Sequence, residues 1–192
     1  MEIIVASNNK HKIREIKEVL KGPFLLIPMA DAGIVEDIPE NEASLEANAL
    51  EKARYVHRLT GTNVFADDTG LETEALDGAP GVHSARYAGE NKDPDDNITR
   101  LLSELEGHRN KKARFRTVIA LIYENREYLF EGIIKGRIIN EKRGSEGFGY
   151  DPVFIPDNEI LTFAEMPSER KNMISHRAIA IRKLCDFLKG SL

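Results

Sequence analysis

Apolar and polar positions along this chain alternate between two periods. Behind a single glutamate, Ile3-Ile4-Val5-Ala6 forms a short continuous apolar run that reads as a buried strand. Residues 9 to 21 place Ile13, Ile16, Val19 and Leu20 at helical spacing, and Gly22-Pro23 stops that helix. Phe24 to Pro28 reads as a second strand. An acidic loop from Val35 to Glu42 follows, then a long helix with Leu45, Ala49, Ala53 and Val56 on one face and Gly61 at its end. Val64-Phe65-Ala66 predicts a buried strand that stops at an acidic turn, Asp67-Asp68-Thr69-Gly70-Leu71. Leu71 to Leu76 can extend into a further strand before a Gly/Pro-rich loop from Asp77 to Lys92.

The second half is read the same way. Asp93 caps a helix with Pro94 at its first position, Asp95 and Asp96 in its first turn, and Ile98, Leu101, Leu102 and Leu105 as its stripe. Residues 113 to 123 and 127 to 139 are β-rich around Glu124-Asn125-Arg126, which predicts a long antiparallel hairpin. Val153 to Ile155 and Leu161 to Ala164 read as short strands. Ser175 is the expected N-cap of a last helix whose stripe is Ala178, Ile181, Cys185 and Leu188. Crossovers mixed with a hairpin give an α/β expectation: a mixed, elongated β-sheet flanked by helices, folded over residues 1–192 as a single domain with two lobes around a central cleft.

Composition narrows the function classes. A formal net charge of −5 argues against a binder of nucleic-acid polymers or membrane surfaces. The basic stretch His108 to Arg116 reads as a solvated loop entering a strand. A single cysteine excludes an internal disulfide and a cysteine-based zinc cluster, and Cys185 falls on a core stripe. No apolar stretch reaches the roughly 20 residues of a membrane span. The acidic, strand-like N-terminus lacks signal-peptide character, so a cytoplasmic location is expected.

Four segments carry candidate chemistry. Asp67 and Asp68 are adjacent carboxylates that repel unless a cation sits between them, and Mg²⁺ suits carboxylate oxygens together with water and phosphate. Ser7-Asn8-Asn9-Lys10-His11-Lys12 joins a strand to a helix start. It has the ingredients of a phosphate cradle, or of an ordinary N-cap with solvated lysines. Gly147-Phe148-Gly149-Tyr150-Asp151-Pro152 offers backbone access, a stacking ring and an acceptor to a flat ligand; a β-turn around a core aromatic is the alternative. In the segment Lys171 to Arg177, His176 and Arg177 put positive charge at a helix start, against the macrodipole, which suggests an anionic or carbonyl-rich ligand.

Taken together these segments resemble the inosine triphosphatase family of pyrophosphatases for non-canonical purine nucleoside triphosphates. The likeness runs from Ile3 to about Leu188 in the family's motif order. Ser7 to Lys12 is similar to its phosphate loop, with Asn8 where many members have glycine. Asn48-Ala49-Leu50-Glu51-Lys52-Ala53 resembles its long-helix segment, which makes Lys52 a substrate-binding lysine. Ala66 to Leu71 is similar to its metal and catalytic turn, with Thr69 where serine is common. Gly78 to Tyr87 resembles a bacterial-type signature, and Phe148, Gly149, Tyr150, Asp151, Lys171, His176 and Arg177 fall in segments that resemble its base-recognition elements.

The resemblance implies attack of water on the α-phosphorus of inosine, deoxyinosine or xanthosine triphosphate, with release of a nucleoside monophosphate and pyrophosphate. It assigns Mg²⁺ to Glu40 and Asp68, with Asp67 a further candidate ligand and Glu42 a substitute for Glu40. Asp68 is the implied general base, although the sequence alone does not separate it from Glu40. A homodimer is implied by the family only. The competing readings are a related pyrophosphatase for modified pyrimidine or methylated nucleotides, a metal-dependent phosphatase, and a non-catalytic nucleotide-binding module.

Overall fold

The computed structural model describes residues 1–191. Six strands and five α-helices alternate in it: β1 (Glu2–Val5), α1 (Lys10–Val19), β2 (Leu25–Pro28), α2 (Leu45–Thr60), β3 (Val64–Thr73), α3 (Pro94–Glu104), β4 (Lys112–Tyr123), β5 (Arg126–Ile138), β6 (Phe154–Pro156), α4 (Ser168–Ile174) and α5 (His176–Gly190). The strands pair in the order β2-β1-β3-β4-β5-β6. β1 lies parallel to β2 and to β3, whereas β5 and β6 are antiparallel, so the sheet is mixed as the sequence pattern predicts.

The chain forms two compact units. The first comprises Met1–Asp68, Thr117–Gly132 and Arg177–Leu192, and the second Thr69–Arg116 and Ile133–His176. In the first unit, Ile3, Val5, Ile16, Phe65, Ile119 and Leu121 pack with Ile181, Leu184, Cys185 and Leu188 of α5. The expected α5 stripe is therefore core, Cys185 included. In the second unit, Ile98, Leu101 and Leu105 of α3 close over Leu71, Phe115, Tyr150, Phe154 and Phe163.

Local chemistry explains the element ends. Asn9 Oδ1 accepts from the backbone N–H groups of His11 and Lys12 and starts α1, while Ser44 and Gly61 bracket α2. Asp93 accepts from Asp95 and Asp96 and starts α3 as expected. The β4–β5 hairpin turns on two residues, Glu124 and Asn125, both left-handed; Arg126, expected in the turn, already belongs to β5.

Three expectations change. The acidic segment is not a turn: β3 runs on through Asp67, Asp68, Thr69 and Gly70 to Thr73, and Glu74–Leu76 is a 3₁₀ turn. Leu161 to Ala164 is not a strand, because Thr162 and Glu165 form a reciprocal capping box around a 3₁₀ turn. Ser175 directly precedes α5, where its capping position is expected; what changes is that a short helix, α4, which the pattern does not reveal, ends on it, with the Ser175 backbone N–H bonded to Lys171 O.

Gly70 lets a loop approach β3 closely just after the two aspartates. A Cβ at that position would come within 2.6 Å of the Gly81 carbonyl oxygen, so the Gly/Pro-rich loop packs directly on the strand backbone. Gly70→Ala is expected to lower stability by about 1–3 kcal/mol through this overpacking, measurable as a shifted urea midpoint.

Candidate active site

Successive side chains of a strand point to opposite faces, and β3 applies this rule to Asp67 and Asp68. The direct ion-pair contacts of the two carboxylates within the first unit consequently differ. Asp67 Oδ2 lies 3.2 Å from Lys12 Nζ and 3.3 Å from Arg177 Nε. The Arg177 guanidinium also donates to Glu15 Oε2 at 2.5 Å, and its side chain is fully buried. Asp68 instead accepts from Lys52 Nζ at 3.2 Å. The same ammonium donates to Glu40 Oε1 at 2.5 Å and to the Asp67 carbonyl oxygen at 2.8 Å. α2 presents Lys52 from its buried face, and the acidic loop before α2 presents Glu40.

The two aspartates titrate in opposite directions. Burial works against ionised Asp67, but Lys12, Arg177 and Lys52 outweigh it and hold the carboxyl well below the usual aspartate range. Burial also acts on Asp68, and there Lys52 and Lys12 do not offset it, so its carboxyl is pushed up. Glu40 is raised by burial and pulled down further by Lys52, ending below its ordinary value. Lys52 loses hydration on burial, yet Asp68, Glu40 and Asp67 keep it protonated above its ordinary range.

The strand-to-helix loop is tied internally. Ser7 Oγ accepts from the Asn9 N–H, and Asn9 Oδ1 takes the next two free helix donors. Asn8 reaches the Val35 and Glu36 carbonyls and so anchors the acidic loop that carries Glu40. Lys10 and His11 are exposed. The capping reading of this loop thus holds for Asn9.

The second unit contains its own polar cluster. Asp151 Oδ2 accepts from the Phe148 backbone N–H at 2.8 Å and from Lys171 Nζ at 2.6 Å. Lys171 Nζ also sits 5.3 Å from the Phe148 ring centroid. Gly147 makes the turn possible: its φ is 75°, and a Cβ there would fall 2.1 Å from the Asp151 carboxylate. His176 is buried and stacks on Phe115, with ring centroids 4.6 Å apart. Tyr150 is core, with its hydroxyl donating to the Ser84 carbonyl at 2.9 Å; Gly149 and Thr69 are half-buried.

This geometry can be set beside known proteins. A family model described as the Ham1 family matches residues 3–187. The chain belongs to the Ham1 family. It is 54% identical over 188 residues to a dITP/XTP pyrophosphatase of Porphyromonas gingivalis, spanning 97% of both chains. It is 50% identical to a dITP/XTP pyrophosphatase of Flavobacterium johnsoniae over 100% of each. The solved Ham1 protein of Staphylococcus aureus superposes with a TM-score of 0.91 at 38% identity, with 100% of both chains covered.

Within this Ham1 chain Lys52 joins Glu40 and Asp68, and Lys12 and Arg177 flank Asp67. The two groups form one charge network, because Asp67 acts on Glu40 and Asp68, and Lys12 acts on all three carboxylates. Arg177 was expected to donate to a base, but its guanidinium is engaged by Asp67 and Glu15. Glu15 escaped the sequence reading: it lies off the apolar stripe of α1, and nothing in its spacing points to an arginine 162 residues away.

Asp67→Asn is expected to lower stability by about 3–5 kcal/mol at neutral pH, because Lys12 and Arg177 lose their shared anion. A depressed carboxyl contributes fully above its unfolded value of about 3.9 and progressively less below it. Urea unfolding of both proteins should therefore show a gap near pH 7 that narrows near pH 3.

Proposed function

We propose that this Ham1 chain works over its whole length as a pyrophosphatase for non-canonical purine nucleoside triphosphates: deoxyinosine, inosine and xanthosine forms. The relatives' activity supports the substrate class. The observation that carries the chemistry is Asp68. It is buried, one of its oxygens is held by Lys52, and the other has no hydrogen-bond partner.

That donor set suits a divalent cation. Glu40 and Asp68 already share one cationic centre, Lys52, and Asp68 Oδ2 is an unsatisfied hard oxygen. Mg²⁺ needs only one or two carboxylates and completes its sphere with water and substrate phosphate. When bound, Mg²⁺ neutralises phosphate charge and orients the reacting group.

The chain's own residues do the remaining work. Lys52 and Lys12 neutralise the phosphates, with Ser7, Asn8, Asn9, Lys10 and His11 forming the loop beside them. Asp68 accepts a proton from water as its oxygen bonds to the α-phosphorus, and the bond to the bridging oxygen breaks to release pyrophosphate. Burial raises the proton affinity of Asp68, which suits a base better than the strongly acidic Asp67. Thr69, Phe148, Gly149, Tyr150, Asp151, Lys171 and His176 are assigned to the nucleoside by the resemblance. Among them, Phe148 supplies a ring face and Asp151 with Lys171 a polar edge. Arg177 acts on the reaction through Asp67, as a positioning residue. The reading also expects a cytoplasmic homodimer; among the described residues no helix is long and apolar enough to cross a membrane.

A product assay with Mg²⁺ and a panel of nucleoside triphosphates tests this. Inosine and xanthosine triphosphates should give monophosphate and pyrophosphate, with adenosine triphosphate a poor substrate. Inorganic phosphate as the first product would sink the proposal. Asp68→Asn should keep the circular dichroism spectrum and lose about 10²–10⁴-fold in kcat.

Lys52→Met separates the cation's structural role from turnover. Glu40 and Asp68 then face each other without an ammonium, so the melting temperature should fall, and Mg²⁺ should restore more of it than in the parent protein. Equal Mg²⁺ responses in the two proteins would remove Glu40 and Asp68 as the metal ligands.

A further inference from the structure

The second unit has a concave surface that the proposed chemistry does not use. It is a shallow, open depression of about 1120 Å³ at the open end of the β4–β5 hairpin, where the Ile138 N–H donates to the Lys111 carbonyl at 2.8 Å. Arg109, Lys111, Lys112, Arg137 and Arg143 line it, against one carboxylate, Glu141. This is the basic stretch that the sequence pattern assigns to a solvated loop, joined in space by two arginines from the far end of the hairpin.

Two of these cations are anchored. Lys111 Nζ donates to the Leu105 carbonyl. Arg143 binds the Ile160 carbonyl at 2.9 Å and Glu165 at 3.2 Å, and its Nε is buried with no hydrogen-bond partner. The other three differ. Arg109, Lys112 and Arg137 are exposed, and among the described residues no carboxylate pairs with any of them. By contrast Arg114 and Arg116, two and four residues beyond Lys112, are both paired with Glu72. On a chain with net charge −5, five cations around one hollow form a local reversal of sign.

We infer that this hollow is a binding site for an oligophosphate chain, separate from the catalytic cluster. Guanidinium forks match phosphate oxygens bidentately, and lysines add point charge. The cations of the hollow come from three segments, residues 109–112, Arg137 and Arg143, and this spread suits several phosphate groups rather than a single small anion. No aromatic side chain lines it, so it offers no platform for base stacking and reads phosphate rather than nucleobase. The acidic remainder of the chain disfavours a long polyanion such as a nucleic-acid duplex. A free oligophosphate and the phosphate tail of a nucleotide share the chemistry this surface recognises.

Isothermal titration of the full chain with inorganic tripolyphosphate, in low salt and chelator, tests the assignment. The comparison protein carries Arg109→Ala, Lys112→Ala and Arg137→Ala together. These are exposed positions, and an unchanged melting temperature and an unchanged pyrophosphatase rate control for folding. The expected result is a binding event, additional to any at Lys12 and Lys52, that the triple variant loses or weakens roughly tenfold or more, about 1.4 kcal/mol. A parallel titration with adenosine triphosphate distinguishes the sources: a matching loss shows that nucleotide tails are accepted, and no binding restricts the site to free oligophosphate. The inference is overturned if the triple variant binds tripolyphosphate like the parent. It is equally overturned if a short DNA duplex binds at this surface while tripolyphosphate does not, since the occupant is then a nucleic acid.

Discussion

The catalytic cluster depends on the pleat of one strand. Because β3 continues through Asp67 and Asp68, two adjacent carboxylates leave the backbone in opposite directions, and their direct ion-pair contacts differ. They still share one electrostatic environment, and the charge of Asp67 adds to burial in raising Asp68. Lys12 and Arg177 keep Asp67 ionised, while burial leaves Asp68 the better proton acceptor. A structural carboxylate and a chemical one are thus made from neighbouring residues without any difference in side-chain type.

Much of the architecture was legible in the sequence. The helix stripes, the Asp93-Pro94 start, the hairpin and the mixed α/β class follow from local periodicity and capping, which depend on neighbours a few residues apart. The failures share a cause. Polar residues such as Asp67, Asp68 and Thr69 look like a turn because their propensity is for turns, yet they belong to β3, which pairs between β1 and β4. Thr162 with Glu165 and the short helix α4 are likewise set by capping hydrogen bonds that a run of apolar letters does not display.

Site residues divide along similar lines. Glu40, Lys52 and Asp68 were each nameable, through a motif likeness rather than through spacing, and the structure brings their charged groups together. The role of Arg177 was not legible. Its partners, Glu15 and Asp67, come from distant parts of the chain, and a buried guanidinium looks the same in sequence as a ligand-binding one. Clusters of this kind are costly to desolvate. Their retention is consistent with pre-arranged charge at a reacting centre, where such groups act without reorganising.

Cys185 gives the first unit an internal reporter. It is the chain's only thiol, it lies in the core stripe of the same helix that carries Arg177 to Asp67, and burial raises its pKa. Its labelling by a thiol reagent is therefore slowed by the packing of α5 in that core, and the labelling rate is a chemical clock for how firmly the helix bearing Arg177 is held in place.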